Sequence, residues 1–416
     1  MRSIRARAAF FALLLCASAA DAANFGYIPI NDENGVVEVV NMTTRQWVKQ
    51  IAIGRNAYTT TVHPNGTRVY VGAVDSDGVG VVSIIDTSRN AMIRTITEVS
   101  DAPTELVVRP GDAKVLFSSH NRGVDMIDID ETVAEPYAVK KITTKYSGQG
   151  LGVTADGQYV VVAGKQTLGG DLWGVSLVNA QTGVAISNLD LPKDVTGLTV
   201  NNKSVFVTNR SGNNITELEI TNYDTPDVAA LKKVGESISL RAGSGPYDLI
   251  VDRLYSRLIV SNSGAPSIQA GPEISSEGSL ALINLSTREI TYTDVSMEGQ
   301  IKFSNPVVHP QALSLSQDGK TLHITKQLWA QSGGTYVSSF RVVASGLKDE
   351  VGTGNINPRN AYNMGDFVGP ECPKCPLYKD NITFTTRKAP AAVSPLELLA
   401  FAIFGGAMWL ARRRFR

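Results

Sequence analysis

The sequence predicts an all-β fold: a seven-bladed β-propeller of four-stranded blades, followed by a single C-terminal transmembrane helix. Two observations carry the propeller. A short apolar strand ending in small or polar residues recurs seven times, with Tyr27, Tyr70, Leu116, Val161, Phe206, Ile259 and His323 in equivalent positions. The successive spacings are 43, 46, 45, 45, 53 and 64 residues, and a near-constant period in the forties built from short strands marks propeller blades. A third observation carries the helix: the chain ends on an apolar run closed by arginines.

Residues 1–22 read as a secretory signal. Arg2, Arg5 and Arg7 supply the basic start, Ala8–Cys16 the apolar stretch, and Ala20-Asp21-Ala22 the small residues of a cleavage site after Ala22. The apolar stretch is short for a hydrocarbon layer of about 30 Å. Residues 23–370 are assigned to the propeller. Its second strands appear as Gly26–Ile30, Val69–Gly72, Val115–Ser118, Tyr159–Val162, Val205–Asn209, Leu258–Asn262 and Leu322–Thr325. Asn65-Gly66, Asp156-Gly157, Asn201-Asn202 and Asp318-Gly319 precede four of them, and these residues tolerate the positive φ of a tight hairpin. Third strands follow at Val81–Asp86, Val124–Asp128 and Leu280–Asn284, and Ala91–Ile96 is a fourth. The first blade has no inner strand upstream. A ring must close to avoid an unpaired edge, so the chain after blade seven, around Tyr362–Val368, is expected to supply it.

Arg68–Gly72 through Ile84–Asp86, together with Val205-Phe-Val-Thr-Asn209, resemble the YVTN-type β-propeller repeat over roughly residues 24–350. The resemblance implies the fold and little chemistry, because one such fold hosts many functions. No Trp-Asp dipeptide occurs, which disfavours the WD40 type.

Residues 371–395 form an expected linker containing Cys372-Pro-Lys-Cys375, and residues 396–416 an anchor or sorting tail. With Cys16 lost in the signal, Cys372 and Cys375 are the mature cysteines, and outside the cytoplasm a local disulfide between them is expected. Pro376 stands where haem attachment requires His, and a zinc site lacks a second cysteine pair. Leu398–Ala411 is an uncharged run of 14 residues, about 21 Å as a helix. Extended back to Ala391 it is long enough to span. Arg412, Arg413, Arg414 and Arg416 are expected to stay cytoplasmic, which places the body outside. The tail resembles the three-part sorting signals of bacterial surface proteins. It lacks their Pro-Glu-Pro and Leu-Pro-x-Thr-Gly motifs, and plain anchoring is preferred.

In a propeller, the second-to-third strand loops and the blade-to-blade connections emerge on one face. That face is expected to carry Asp32, Glu33, Asp75, Asp77, His120, Arg122, Lys165, Arg210, Asn262, His309, Lys326 and Trp329, with Arg55, Lys145 and Lys193. The long loops Asn262–Gly278 and Lys326–Gly334 lie there too, and such excursions concentrate binding. Asp32, Glu33, Asp75 and Asp77 offer oxygen ligands for Ca²⁺, against the simpler reading of a solvated acidic rim; no cofactor is predicted. The histidines read as structural, and no nucleophile, base and oxyanion donor stand together.

Lys plus Arg and Asp plus Glu are both 39. Seven of the basic residues lie in the two ends, against Asp21 and Glu397, leaving a body of 32 basic and 37 acidic residues. A net of about −5 argues against nucleic acid. With 43% hydrophobic and 19% charged residues the chain buries a core. The expectation is an exported, membrane-anchored or surface-sorted module binding a protein partner or small ligand. The alternatives are an accessory subunit of a periplasmic redox enzyme or a lactonase-like hydrolase.

Overall fold

The computed structural model describes residues 24–31, 33–192, 194–264, 278–295, 308–316, 318–328, 335–352 and 385–386. Within Asn24–Thr386 the strands form seven antiparallel sheets, one for each repeat of the sequence. The second strands are Asn24–Ile30, Arg68–Val74, Val115–His120, Tyr159–Gln166, Ser204–Asn209, Arg257–Asn262 and Thr321–Leu328, each containing its expected segment. The third strands Gly80–Asp86, Gly123–Asp128 and Ser279–Asn284 and the outer strand Ala91–Ile96 also stand where they are predicted. Gly66, Gly157, Asn202 and Gly319 take φ of 73°, 72°, 55° and 67°, as their hairpin turns require.

The inner strands of blades 2 to 7 are Arg55–Val62, Glu105–Val108, Tyr146–Val153, Val195–Asn201, Pro246–Asp252 and Val308–Leu315. The inner strand of blade 1 comes from the other end of the chain: Thr385–Thr386 pairs antiparallel with Asn24–Phe25. The ring therefore closes as expected, but further along the chain than Tyr362–Val368, which lies outside the described residues. The expected disulfide of Cys372 and Cys375 also lies outside them. In sequence, both cysteines precede the closing strand, so they belong to the excursion between blade 7 and blade 1. Among the described residues no helix is long and apolar enough to cross a membrane; residues 1–22 and 396–416 lie outside them.

Most inner strands are bulged. The register slips between Val195 and Leu198, Pro246 and Leu249, and Pro310 and Leu313. A bulge leaves backbone groups without ladder partners, and a hydroxyl of the second strand takes their place. Thr208 Oγ1 accepts from Gly197 N at 2.7 Å, Ser261 Oγ from Asp248 N at 3.0 Å, and Thr325 Oγ1 from Ala312 N at 3.1 Å. The recurring Ser or Thr near the end of the apolar strand is thus a backbone acceptor for its neighbour.

The core lies between blades. Ile250, Ile259 and Leu282 of blade 6 pack on Leu313, Leu322 and Ile324 of blade 7. Comparable clusters join blades 2 and 3, 3 and 4, 4 and 5, and 5 and 6. Ile28, Ile30 and Val40 of blade 1 meet Ala312 and Val337 of blade 7, so the ring is closed by packing as well as by pairing. Outer strands such as Gln46–Ala52 and Ala91–Ile96 are largely exposed, while the strands inside them are buried.

Candidate functional site

The antiparallel order puts the second-to-third strand loops and the blade entries at one end of the sheets. Most of the expected residues of that face that are described hold partners close by. Glu33 is exposed in a turn. Asp75 is absorbed by its own loop, where Oδ1 accepts from Asp77 N and Val79 N, both at 2.9 Å, and Asp77 is exposed. Asp32 is outside the described residues. Among the described residues no three His, Cys, Asp or Glu side chains form a group able to hold a metal.

The cations pair mostly within their own blades. Arg122 Nε lies 3.6 Å from Asp101 Oδ2, Lys165 Nζ 3.1 Å from Asp171, and Lys145 Nζ 2.9 Å from Asp190. Arg55 Nη1 donates to Ser76 O. Lys326 is buried, with Nζ 3.0 Å from Glu350 Oε1. Asn262 is buried too, and donates through Nδ2 to Ser279 Oγ. Arg210 reaches across a blade boundary, donating to Ser263 Oγ at 3.4 Å with its guanidinium 5.8 Å from the Tyr247 ring centre. Lys193, Trp329 and the side chain of His309 lie outside the described residues.

The described histidines are built into the scaffold. His120 is 2% exposed; its Nδ1 accepts from Arg122 N and its Nε2 lies 3.4 Å from Asp125 Oδ2. Asp125 is itself buried and takes Ser100 N at 2.6 Å and Ser100 Oγ at 2.7 Å. His323 is buried in blade 7 with Nδ1 2.7 Å from Ser339 Oγ. Burial, reinforced by the charge of Arg45, pushes its pKa down to about 3. The His63 pKa is also lowered, chiefly by burial.

A histidine whose folded pKa lies below its unfolded value of about 6.5 binds fewer protons folded than unfolded. Its contribution is complete above that pH and is lost as the pH falls, at up to about 1.4 kcal/mol per unit. For His323 the window runs from about pH 6.5 to about pH 3. The urea midpoint should therefore drop between about pH 7 and pH 4.5, above the range where carboxylates dominate. His323→Gln should flatten that drop, and an identical pH slope in the variant would exclude His323 as its source.

What the fold does bring together is a ring of inner-strand residues. Tyr58, Thr104, Gln149, Thr196 and Tyr247, from blades 2 to 6, line a central cavity of about 70 Å³. Beside them stand Glu105 and Asp248. Each carboxylate accepts from a backbone amide of the next blade: Glu105 Oε2 from Leu151 N at 2.9 Å, and Asp248 Oδ2 from Leu313 N at 2.8 Å. The acids at the channel thus join blade to blade. The volume suits a few waters and not a drug-sized ligand, which needs roughly 300 Å³ or more. Sequence reasoning missed this ring. Its signal was Ala102-Pro-Thr-Glu-Leu106, repeated as Gly245-Pro-Tyr-Asp-Leu249 and His309-Pro-Gln-Ala-Leu313.

A putative 6-phosphogluconolactonase from Bacteroides fragilis superposes with a TM-score of 0.56 at 14% identity, over 85% of this chain and 99% of its own. The likeness is one of fold. A second putative 6-phosphogluconolactonase, from Bacteroides uniformis, gives 0.55 at 11% identity over 81% and 98% of the two chains. The dihydro-heme d1 dehydrogenase NirN, in complex with DHE, gives 0.52 at 12% identity over 83% and 76%. No family model matches the sequence, and no curated protein matches it.

Proposed function

We propose that the chain is an exported, membrane-anchored propeller of YVTN-type repeats that binds a protein partner or small ligand on the face carrying its blade entries. The carrying observation is the central cavity of about 70 Å³, whose acidic residues are engaged by backbone amides of neighbouring blades. Such a channel favours surface recognition over chemistry in the pore. Arg210 and Tyr247, which meet at the boundary of blades 5 and 6, are the side chains of that face best placed for a partner. Cleavage after Ala22 leaves the first strand, Asn24–Ile30, whole. The anchor follows the closing strand Thr385–Thr386 in sequence.

Two other readings stay open to test. An accessory subunit of a redox complex is suggested by the fold shared with NirN, and a lactonase-like hydrolase by the fold shared with the putative 6-phosphogluconolactonases. The hydrolase reading is weakened by the burial of His120. Purification of the full chain from its native membranes, followed by mass spectrometry, should recover a stoichiometric partner whose retention drops in Arg210→Ala. Recovery of a haem or quinone-linked chain points to the redox subunit. Turnover on a lactone panel, with no partner recovered, would sink the binding reading.

A further inference from the structure

Neighbouring blades are locked at the end of the sheets opposite the blade entries, where the third-to-outer strand connection of one blade meets the second strand of the blade before it. In blade 1 the Tyr27 hydroxyl donates to Asn90 Oδ1 of blade 2 at 2.5 Å. In blade 4 the Tyr159 hydroxyl donates to Tyr223 O of blade 5, also at 2.5 Å, and the two rings pack edge to face with centres 5.0 Å apart. Each buried phenol is satisfied by the blade that follows.

Tyr70 of blade 2 occupies the repeat position of Tyr27 and is just as buried, at 2% exposure. Its hydroxyl has no hydrogen-bond partner among the described residues. Nearby in blade 3, Glu131 Oε1 accepts from the Tyr137 hydroxyl at 2.7 Å and from Arg68 Nε at 3.3 Å. Tyr70 instead borders a cleft of about 230 Å³ between blades 2 and 3, walled by His63, Arg68, Lys114, Asp130 and Glu131. Burial raises the Tyr70 pKa well above the ordinary phenol value, so the hydroxyl remains an O–H donor. In the free protein that hydroxyl is open to water in the cleft, and a ligand group can take the water's place.

We propose that this cleft binds a neutral, hydroxyl-rich ligand the size of one sugar ring, with the Tyr70 hydroxyl donating to it. The charges select for neutrality. Arg68 is paired with Asp86 at 3.0 Å and with Glu131, and Lys114 with Asp130 at 2.8 Å. An ionic ligand has to break one of these pairs or sit against a like charge. A hydroxyl can donate to a carboxylate that has lone pairs to spare, or accept from an ammonium or guanidinium that has further N–H groups. His63 offers only its ring, since Nε2 is 3.0 Å from Ala113 O and Nδ1 accepts from Asn65 N. At about 30 Å³ per water the cleft holds roughly seven or eight waters, room for a single pyranose.

The full chain, held in a detergent without a sugar headgroup, is titrated with glucose, galactose and N-acetylglucosamine and followed by saturation-transfer NMR and calorimetry. At least one sugar should bind with a Kd of roughly 1–10 mM, as expected of a small, polar, solvent-open site. Tyr70→Phe should weaken it at least about fivefold without lowering Tm, because the lost hydroxyl has no protein partner. Tyr27→Phe should do the reverse, lowering Tm and leaving sugar affinity unchanged. Glu131→Gln should also weaken binding. No saturation transfer from any of the three sugars, or equal affinity in Tyr70→Phe, overturns the proposal. So does a fall in Tm for Tyr70→Phe as large as that for Tyr27→Phe.

Discussion

Asp252→Ala should lower the unfolding free energy by about 3–5 kcal/mol, the cost of leaving a buried charge without its partner. Asp252 is fully buried at the end of the inner strand of blade 6, and Arg257, five residues on, is 6% exposed. The Arg257 Nε donates to Asp252 Oδ2 at 2.7 Å, while Nη2 and Nη1 reach the carbonyls of Val343 and Ala344 in blade 7 at 2.9 and 3.4 Å. Asp252 Oδ1 also accepts from Leu254 N and Tyr255 N, shaping the hairpin that presents the arginine. One carboxylate therefore fixes both a turn and a contact between blades. Because the damage lies in the stranded guanidinium, Asp252→Leu combined with Arg257→Met should recover a large part of the loss. Chemical denaturation of the single and double variants checks both statements. A double variant as unstable as the sum of the single ones would place the cost in the turn and not in the charge.

A chain ending after Phe384 should be less stable than one ending after Lys388 by roughly 2 kcal/mol or more. The two differ by the closing strand, and both lack the expected anchor. Thr385–Thr386 supplies the only described inner pairing of blade 1, to Asn24 and Phe25. Without it that strand presents unpaired backbone groups on an apolar segment, an edge open to self-association. The shorter chain should melt earlier and aggregate from a broader transition. The apolar contact of Ile28 and Ile30 with Ala312 and Val337 remains, so loosening of blade 1 is expected in preference to loss of the whole ring. Equal melting curves for the two chains would assign closure to that packing alone.

The blades were legible because the second strand of each is buried on both faces. Val205–Val207 and Leu258–Val260 are buried, so selection for apolar residues marks the strand without any need of alternation. Its preceding turn needs positive φ, which only a few residue types tolerate, and Gly66, Gly157 and Gly319 advertised it. Inner strands were harder to see. Their bulges break the two-residue period just where Gly197, Asp248 and Ala312 turn toward the channel, and a pattern with an extra residue no longer reads as a strand. The channel residues were therefore missed although Pro-Tyr-Asp-Leu and Pro-Thr-Glu-Leu repeat in plain view.

The candidate face illustrates a different limit. Topology predicts which end of a blade a residue occupies, but not what its side chain already holds. His120, Asn262 and Lys326 all sit at strand ends beside exposed loops, yet all three are buried and engaged by their own sheets. Asp75, read as part of an acidic rim with Ca²⁺ ligation as the alternative, caps its own loop. In the sequence Tyr70 is simply the repeat equivalent of Tyr27; that its hydroxyl faces a cleft appears only when the third-to-outer connection of the neighbouring blade is placed beside it.

By itself the sequence determined the number of blades, the phase of their strands and the need for a closing segment, because local patterns of burial and turn geometry repeat with the chain. Tertiary structure alone decided where the ring closes, which charges are spent within a blade, and which phenol is left facing a cleft. Those outcomes depend on contacts between residues tens to hundreds of positions apart, as between Thr385 and Phe25 or Arg257 and Val343. A hydrogen bond acts over about 3 Å, and no periodicity along the chain records which partner will come within that reach.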